Sequence, residues 1–270
     1  MRAAIRAEVS IASRDNPRVR VWKKLQTDAR ERRSRRRVLL EGVHLITTYL
    51  DRVGAPRELI VSQPALANHE VAALSRRLRR APVVVSDAVF AAFANTENPV
   101  GIAAEIDLPD GDPDLSGSRH CVLIEGVQDA GNLGAILRSA AAFGIDSVVI
   151  GPGSADPWSP KVLRAAMGGH FFLRIAEVIN LAPKTSEFSG LKVCTVPQGG
   201  ESLAQLDLTG PVAWILGSEG GGISASLQLS ADVRAQIPMP GGTESLNVAA
   251  AAAICFYERS RQLNTSAVRS

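Results

Sequence analysis

The sequence predicts an α/β protein of two domains: a small α/β domain over residues 1–108, a linker over 109–118, and a larger domain with a mostly parallel sheet over 119–270. Three observations carry that reading. Short apolar runs alternate with segments of helical period along nearly the whole chain, the pattern of strand-helix units. The alternation breaks once, at LPDGDPDLSGS (108–118), where Pro, Gly, Asp and Ser favour turns. A content of 46% hydrophobic and 21% charged residues supports sizeable cores and excludes a disordered, collagen-like or low-complexity chain.

The elements follow in order. Asn16-Pro17 opens a helix in which Val19, Trp22, Leu25 and Ala29 recur at helical spacing with cations between them. Residues 38–42 read as a strand ending at Gly42, 44–53 as a helix, 57–62 as a strand, 66–80 as a helix, 82–86 as a strand, 87–94 as a short helix, and 101–106 as the last strand of the first domain. After the linker, strand 120–125 leads to helix 133–143 and strand 147–150 to helix 160–167. Strands 192–196 and 212–216, helix 224–229, strand 235–237 and a final helix 246–264 complete the chain. Strands joined through helices pair in parallel.

The formal net charge of +3 hides a strong asymmetry: residues 1–40 hold 13 Lys/Arg against 4 Asp/Glu, and residues 113–270 hold 11 against 13. The densest stretch is RERRSRRR (30–37), after Arg14, Arg18, Arg20, Lys23 and Lys24. Arginine forks match phosphate geometry, so a basic leader on a mildly acidic body points to a polyanion such as nucleic acid. Arg14, Arg18, Lys23, Arg35, Arg36 and Arg37 are the candidate contacts. Trp22 is the single aromatic residue in this segment, so phosphate and shape contacts are expected rather than base stacking. The bland alternative is a solvated helix face.

Cys121, Cys194 and Cys255 are far apart and form no CxxC, and His44, His69, His120 and His170 show no ligand spacing. We therefore expect no disulfide scaffold, no metal and a reducing compartment. The longest apolar run, 248–257, is about half the length that crosses a bilayer, and the N-terminus lacks the apolar stretch of a signal peptide, so the expected location is the cytoplasm, with no membrane partner.

Three polar, glycine-bearing turns follow strands of the second domain: EGVQDAGN (125–132), LGSEGGG (216–222) and IPMPGGTESLN (237–247). Open α/β sheets bind ligands at the carboxyl ends of their strands, so three such turns predict one shared pocket. No GxGxxG opens a helix after the first strand and no GxxxxGK[ST] occurs, which weakens the nicotinamide and triphosphate readings; residues 217–220 also miss GxSxG. Asn132 and Ser245 stand at expected helix starts, where both residue types cap well. Arg138, within an otherwise apolar helix, is expected to reach for an anion.

These segments, in this order, resemble the three motifs of the SPOUT superfamily in its SpoU/TrmH branch of S-adenosylmethionine-dependent RNA ribose 2′-O-methyltransferases. SRDNP (13–17), LLEG (39–42) and TENPVG (96–101) resemble the small RNA substrate-binding domain that often precedes the catalytic one, and SPKVLRAAMG (159–168) is similar to the helix after the second strand. Two positions depart from the pattern: the family usually has Pro where Ala130 stands and Asn where Ser218 stands.

The resemblance implies a SPOUT domain with a deep trefoil knot, a homodimer, and methylation of a ribose 2′-hydroxyl in structured RNA, ribosomal ahead of transfer RNA. It implies S-adenosylmethionine held around Thr195, Val196, Leu216, Gly217, Gly221, Ile237, Met239, Ser245 and Leu246, with Ile237, Met239 and Leu246 flanking the adenine. It assigns Asn132, Arg138, Glu219, Ser245 and Asn247 to catalysis and substrate. A guanidinium is ordinarily fully charged, so Arg138 is expected to grip the adjacent phosphate and stabilise the developing alkoxide. Two readings compete: a non-catalytic RNA-binding or ribosome-assembly protein that keeps the fold, which would not bind S-adenosylmethionine, and a nucleotide-binding oxidoreductase, which lacks its fingerprint.

Overall fold

The computed structural model describes residues 10–78, 80–111, 114–218 and 220–267. The chain divides into two compact units, Met1–Pro109 with Trp158–Phe171, and Asp110–Pro157 with Phe172–Ser270.

In the first unit α1 (Pro17–Thr27) begins where Asn16 Oδ1 accepts the Arg18 N–H at 2.9 Å, with Pro17 at the first helical position. Val19, Trp22 and Leu25 bury their side chains with Ile11, Leu39, Ile60, Val85 and Phe90. The basic leader is thus folded into the unit from Ser10 onward rather than standing off as an arm. Asp28 is extended and its side chain accepts from the N–H groups of Arg30 and Glu31, which starts a second helix, α2 (Ala29–Arg35). Arg36 ends α2 in the left-handed region, φ 51°.

β1 (Arg37–Glu41), α3 (Val43–Arg52), β2 (Glu58–Ser62), α4 (His69–Arg76), β3 (Val83–Val85), α5 (Asp87–Ala91) and β4 (Ile102–Asp107) follow. The helix expected over 66–80 is shortened because Asn68 caps at its own position, accepting from Glu70 and Val71. The sheet order is β1-β4-β2-β3, with β4 antiparallel to β1 and β2, and β2 parallel to β3.

The second unit contains β5 (His120–Ile124), α6 (Ala130–Ala142) and β6 (Ser147–Ile150). The chain next makes α7 (Pro160–Ala166), which clusters with the first unit: Arg164 donates to the Asn95 carbonyl at 3.4 Å, and Phe171 packs edge-on against Tyr49 with ring centres 5.2 Å apart. It returns as β7 (Arg174–Glu177), α8 (Ala182–Glu187), β8 (Leu191–Thr195), β9 (Glu201–Ser202), β10 (Val212–Leu216), α9 (Ala225–Leu229), β11 (Val233–Gln236) and α10 (Val248–Ala267). Among the described residues the sheet has seven strands in the order β7-β6-β5-β10-β8-β11-β9, every pair parallel.

The central strands β5 and β10 are buried on both faces and so are nearly continuous apolar runs, with Cys121, Val122, Leu123 and Ile124 of β5 all fully buried, whereas β7, β9 and β11 nearer the edges carry exposed polar residues. The chain lays β5, β6 and β7 toward one edge, then crosses to β8 and inserts β10 between β5 and β8. That reversal of direction is where an open parallel sheet offers a crevice. Among the described residues no helix is long and apolar enough to cross a membrane.

Candidate active site

A cavity of about 310 Å³ opens at the carboxyl ends of β8, β10 and β11. Thr195, Val196 and Pro197 line it from β8, Gly217, Ser218, Gly220, Gly221 and Gly222 from the turn after β10, and Ala235, Ile237, Met239, Ser245 and Leu246 from β11 and its long turn. Val248 and Ala251 of α10 close it. No charged side chain belongs to the described lining, so the surface consists of backbone amides and carbonyls, three hydroxyls, and apolar groups. Such a surface suits a flat apolar group whose polar edges meet the main chain.

Hydrogen bonds set the shape of the turns. Ser218 and Gly222 exchange two backbone bonds of 3.0 Å, and the Ser218 hydroxyl accepts the Gly221 N–H at 3.0 Å. The residue that departs from the family pattern therefore closes its own turn. Thr195 donates its hydroxyl to the Ile215 carbonyl at 3.3 Å, tying the end of β8 to β10. Glu125, just past β5, accepts from the Ser224 N–H at 2.7 Å and its hydroxyl at 2.9 Å, pinning the far side of the glycine turn.

The helix beginning at Ala130 is capped by Asp129, whose Oδ1 accepts the Asn132 N–H at 2.8 Å; Asn132 is not the cap. Nor is Ser245, because α10 starts at Val248 and Asn247 Oδ1 accepts from Ala249 and Ala250 at 3.0 and 3.2 Å. In both places two good capping residues lie close together, and the one that caps is the residue immediately before the first helical position, Asp129 before Ala130 and Asn247 before Val248. With its oxygen committed to the helix, Asn247 points its Nδ2 at Asn132 Oδ1, 3.0 Å away. The first and third predicted turns thus meet side chain to side chain.

Eight of the expected cofactor residues line one cavity: Thr195, Val196, Gly217, Gly221, Ile237, Met239, Ser245 and Leu246. Leu216 does not, being fully buried at the end of β10, where its carbonyl accepts the Glu125 N–H at 2.9 Å. Glu219 lies outside the described residues. Arg138 does not line the cavity either; it is exposed on α6 and makes no hydrogen bond or ion pair with a described residue. Sequence reasoning missed Glu125 as the anchor of the glycine turn, although a carboxylate at a strand end facing a Gly-rich turn is a usable signal. It also missed Pro197, Ile223, Ala235 and Ala251, whose apolar side chains carry no signal beyond core packing.

The six cationic candidates of the leader separate. Arg18 pairs with Glu58 and lies over the Trp22 ring, 5.3 Å from its centre, and Arg37 pairs with Glu105 at 2.7 Å. Arg35 pairs with Glu31 at 2.7 Å, and Arg14 donates to the Ala88 carbonyl at 3.0 Å. Arg36 donates to the Leu108 carbonyl at 3.3 Å, while Lys23 is half-buried on α1. Arg32, in the middle of the basic run, is only 4% exposed and donates to the Leu25 carbonyl.

At the opposite end of the sheet, His120 Nε2 meets Arg259 Nη2 at 2.6 Å. Burial and the nearby Arg259 charge lower the imidazole pKa to about 4, and burial with Arg119 lowers Arg259 to about 10, so a neutral ring accepts from a guanidinium.

Residues 119–257 match the SpoU rRNA Methylase family, and residues 16–104 match the MRM3-like substrate binding domain. The 23S rRNA (guanosine(2553)-2′-O)-methyltransferase RlmP of Bacillus subtilis (strain 168) is 36% identical over 250 residues, covering 92% of this chain and 97% of that one. The SpoU methyltransferase AviRb from Streptomyces viridochromogenes, solved with AdoMet, is similar in structure at a TM-score of 0.82 and 25% identity, covering 92% of this chain and 98% of that one. The AdoMet-bound rRNA methyltransferase from Sinorhizobium meliloti gives 0.79 at 26% identity, covering 94% and 97%.

Proposed function

The chain belongs to the SpoU rRNA Methylase family, and from that premise we propose that it transfers the methyl group of S-adenosylmethionine to a ribose 2′-hydroxyl of structured RNA, ribosomal RNA in preference to transfer RNA. The observation that carries the proposal is the crevice at the ends of β8, β10 and β11, lined by the second and third glycine turns, the first of the three expected turns lying outside its lining, and floored by Ile237, Met239 and Leu246. Its volume lies at the lower end of the range for cofactor sites, and an apolar flank beside open backbone fits an adenine ring and its edges. Gly220 has no atom within 4 Å of where a Cβ would stand, so the turn leaves a cradle.

When bound, the cofactor would supply an electrophilic methyl group on a sulfonium: the ribose oxygen bonds to the methyl carbon in line with the breaking carbon–sulfur bond, the neutral thioether leaves, and the hydroxyl proton is released. The chain's share of the work is alignment, since no carboxylate or imidazole belongs to the described lining. Glu125 and Ser218 hold the glycine turn in shape, and Asn247 fixes Asn132 at the mouth of the third turn. Arg138 is assigned to the substrate: an exposed guanidinium without a described partner is available to grip an RNA phosphate in two-point fashion and to stabilise the charge developing on the ribose oxygen.

The finer readings belong to the same proposal. A second copy docks on the face where Ile254 and Tyr257 of α10 are 39% and 54% exposed and Tyr257 packs against Phe143. The C-terminal segment threads the trefoil knot, and the protein works in the cytoplasm.

Two measurements test the function. Calorimetry with S-adenosylmethionine should give saturable binding, and ribosomal RNA should carry one ribose methylation that disappears when the gene is deleted. Absence of binding, or an unchanged methylation map, overturns the reading. Arg138→Lys keeps the charge but loses the fork, so unchanged transfer in that variant overturns the two-point role.

A further inference from the structure

Within the first unit, a cavity of about 300 Å³ lies under α1 at the end of the four-stranded sheet where β1 and β2 begin and β4 ends. Arg18, Arg37, Arg57 and Arg80 line it together with Glu58, Glu105, Val21 and Trp22. Glu58 and Glu105 stand directly opposite each other on β2 and β4, a placement in which two carboxylates repel. The fold answers with a cation on each: Arg18 on Glu58, and Arg37 on Glu105, which also accepts from Trp22 Nε1 at 3.0 Å.

Those pairs use up Arg18 and Arg37 and leave the cavity with two further guanidiniums. Arg57 is tied only to Asp107, at 3.0 Å, with side chains 46% and 65% exposed, a pair that costs little to open. Arg80 is exposed and makes no hydrogen bond or ion pair with a described residue. Four cations against two carboxylates give the lining an excess of positive charge, fixed on a floor that the buried Trp22 and Glu105 make rigid.

Arg57, Glu58 and Arg80 also line a second cavity of about 280 Å³, shared with Pro56, Arg77 and Leu78. The two guanidiniums therefore stand on a common rim, with open space on either side of them. A free anion needs only a blind hole, whereas a phosphodiester needs a path in and a path out.

We propose that Arg57 and Arg80 form a phosphodiester-binding saddle for the RNA substrate, with the flanking nucleotides lodged in the two cavities. The inference rests on the reading of the protein as an RNA methyltransferase but involves residues outside the basic leader and outside the crevice of the second unit.

The test uses the full chain and an in vitro transcript of 23S ribosomal RNA. Arg57→Gln/Arg80→Gln should melt at the unchanged temperature, bind S-adenosylmethionine normally, and bind the transcript about tenfold more weakly. Its plot of log affinity against log salt should be shallower by about 0.7 to 0.9, one phosphate's worth. Arg20→Gln/Arg52→Gln, with the same loss of charge on the same unit, should change affinity less than about twofold. The proposal is overturned if the saddle variant binds the transcript as the unmodified protein does, if the control pair loses as much, or if the unmodified protein does not bind the transcript. It is also overturned if inorganic phosphate binds the unmodified protein more tightly than the saddle variant while the transcript binds the two alike, which marks a free-anion site. Methyl transfer by the unmodified protein at saturating RNA, run in parallel, reports on the second unit independently of Arg57 and Arg80.

Discussion

Gly217 is the position at which the crevice is most sensitive to a single added carbon. A Cβ there would stand 2.3 Å from the Gly222 carbonyl oxygen, 2.4 Å from its carbon and 2.5 Å from Ile223 Cγ1. The isoleucine can turn away, but the carbonyl is main chain and accepts the Ser218 N–H at 3.0 Å, while the Gly222 N–H donates back to the Ser218 carbonyl at 3.0 Å. Ordinary contact begins near 3.4 Å, so Gly217→Ala must push the two arms of the turn apart by about 1 Å, which takes both bonds out of range. At about 1 kcal/mol each, their loss removes about 2 kcal/mol from the preformed turn. Because Gly217, Ser218, Gly221 and Gly222 all line the cavity, that energy must be restored on binding, and the Kd for S-adenosylmethionine should rise about 30-fold. Gly241→Ala is the control: it lies in the third turn with nothing within 4 Å of its Cβ, and should bind within about twofold of the unmodified protein. Isothermal calorimetry on both variants, with thermal melts to show that the sheet persists, gives the answer. An unchanged Kd for Gly217→Ala refutes the claim that this turn shapes the site, and an equal loss in both variants refutes its specificity.

Three further outcomes are expected. Glu125→Ala deletes both bonds to Ser224 and should weaken S-adenosylmethionine about tenfold or more, while Glu125→Gln keeps an accepting oxygen and should lie between; equal Kd values across the three proteins would show that Ser224 needs no anchor. Asn247→Asp retains the cap on Ala249 and Ala250 and adds a charge favourable to the start of α10, but has no N–H for Asn132 Oδ1, so the melting temperature should hold while methyl transfer falls. Asn247→Ala should lower both, by about 1 kcal/mol for the cap, and full transfer in the aspartate variant would remove Asn132 from the reacting geometry. His120 is held neutral down to about pH 4, whereas the unfolded imidazole takes its proton near 6.5. The unfolded state therefore binds more protons in that window, stability should fall as pH drops from 6.5 toward 4, and His120→Gln should flatten that part of the curve in melts followed by circular dichroism.

How much of this was legible depended on whether the deciding interaction was local. The strands at 120–124, 147–150 and 212–216 are buried on both faces, so they are continuous apolar runs that composition alone reveals. β9 has two residues and α8 is APKTSE, too short or too poor in helix formers to register. Helix 160–166 was readable as a helix, but periodicity reports that a face is apolar and not which core it joins, so its membership in the first unit was invisible. The three turns were readable because glycine after a strand has a local reason, whereas the caps were misplaced because Asp129 competes with Asn132, and Asn247 with Ser245, over two or three residues.

The basic leader shows the limit most clearly. Counting cations treats each as free, yet Arg18 and Arg37 find their carboxylates 40 and 68 residues away and Arg32 is buried, because strand pairing brings Glu58 and Glu105 beneath α1. Arg80, which pairs with no described residue, and Arg57, held only by an exposed ion pair with Asp107, are inconspicuous in sequence yet both line the open cavity. Charge density along the chain therefore marks where this domain neutralises its own glutamates, and the guanidiniums left for a polyanion are found by subtracting the pairs made with the shielded Glu58 and Glu105, not the exposed pair of Arg57 with Asp107.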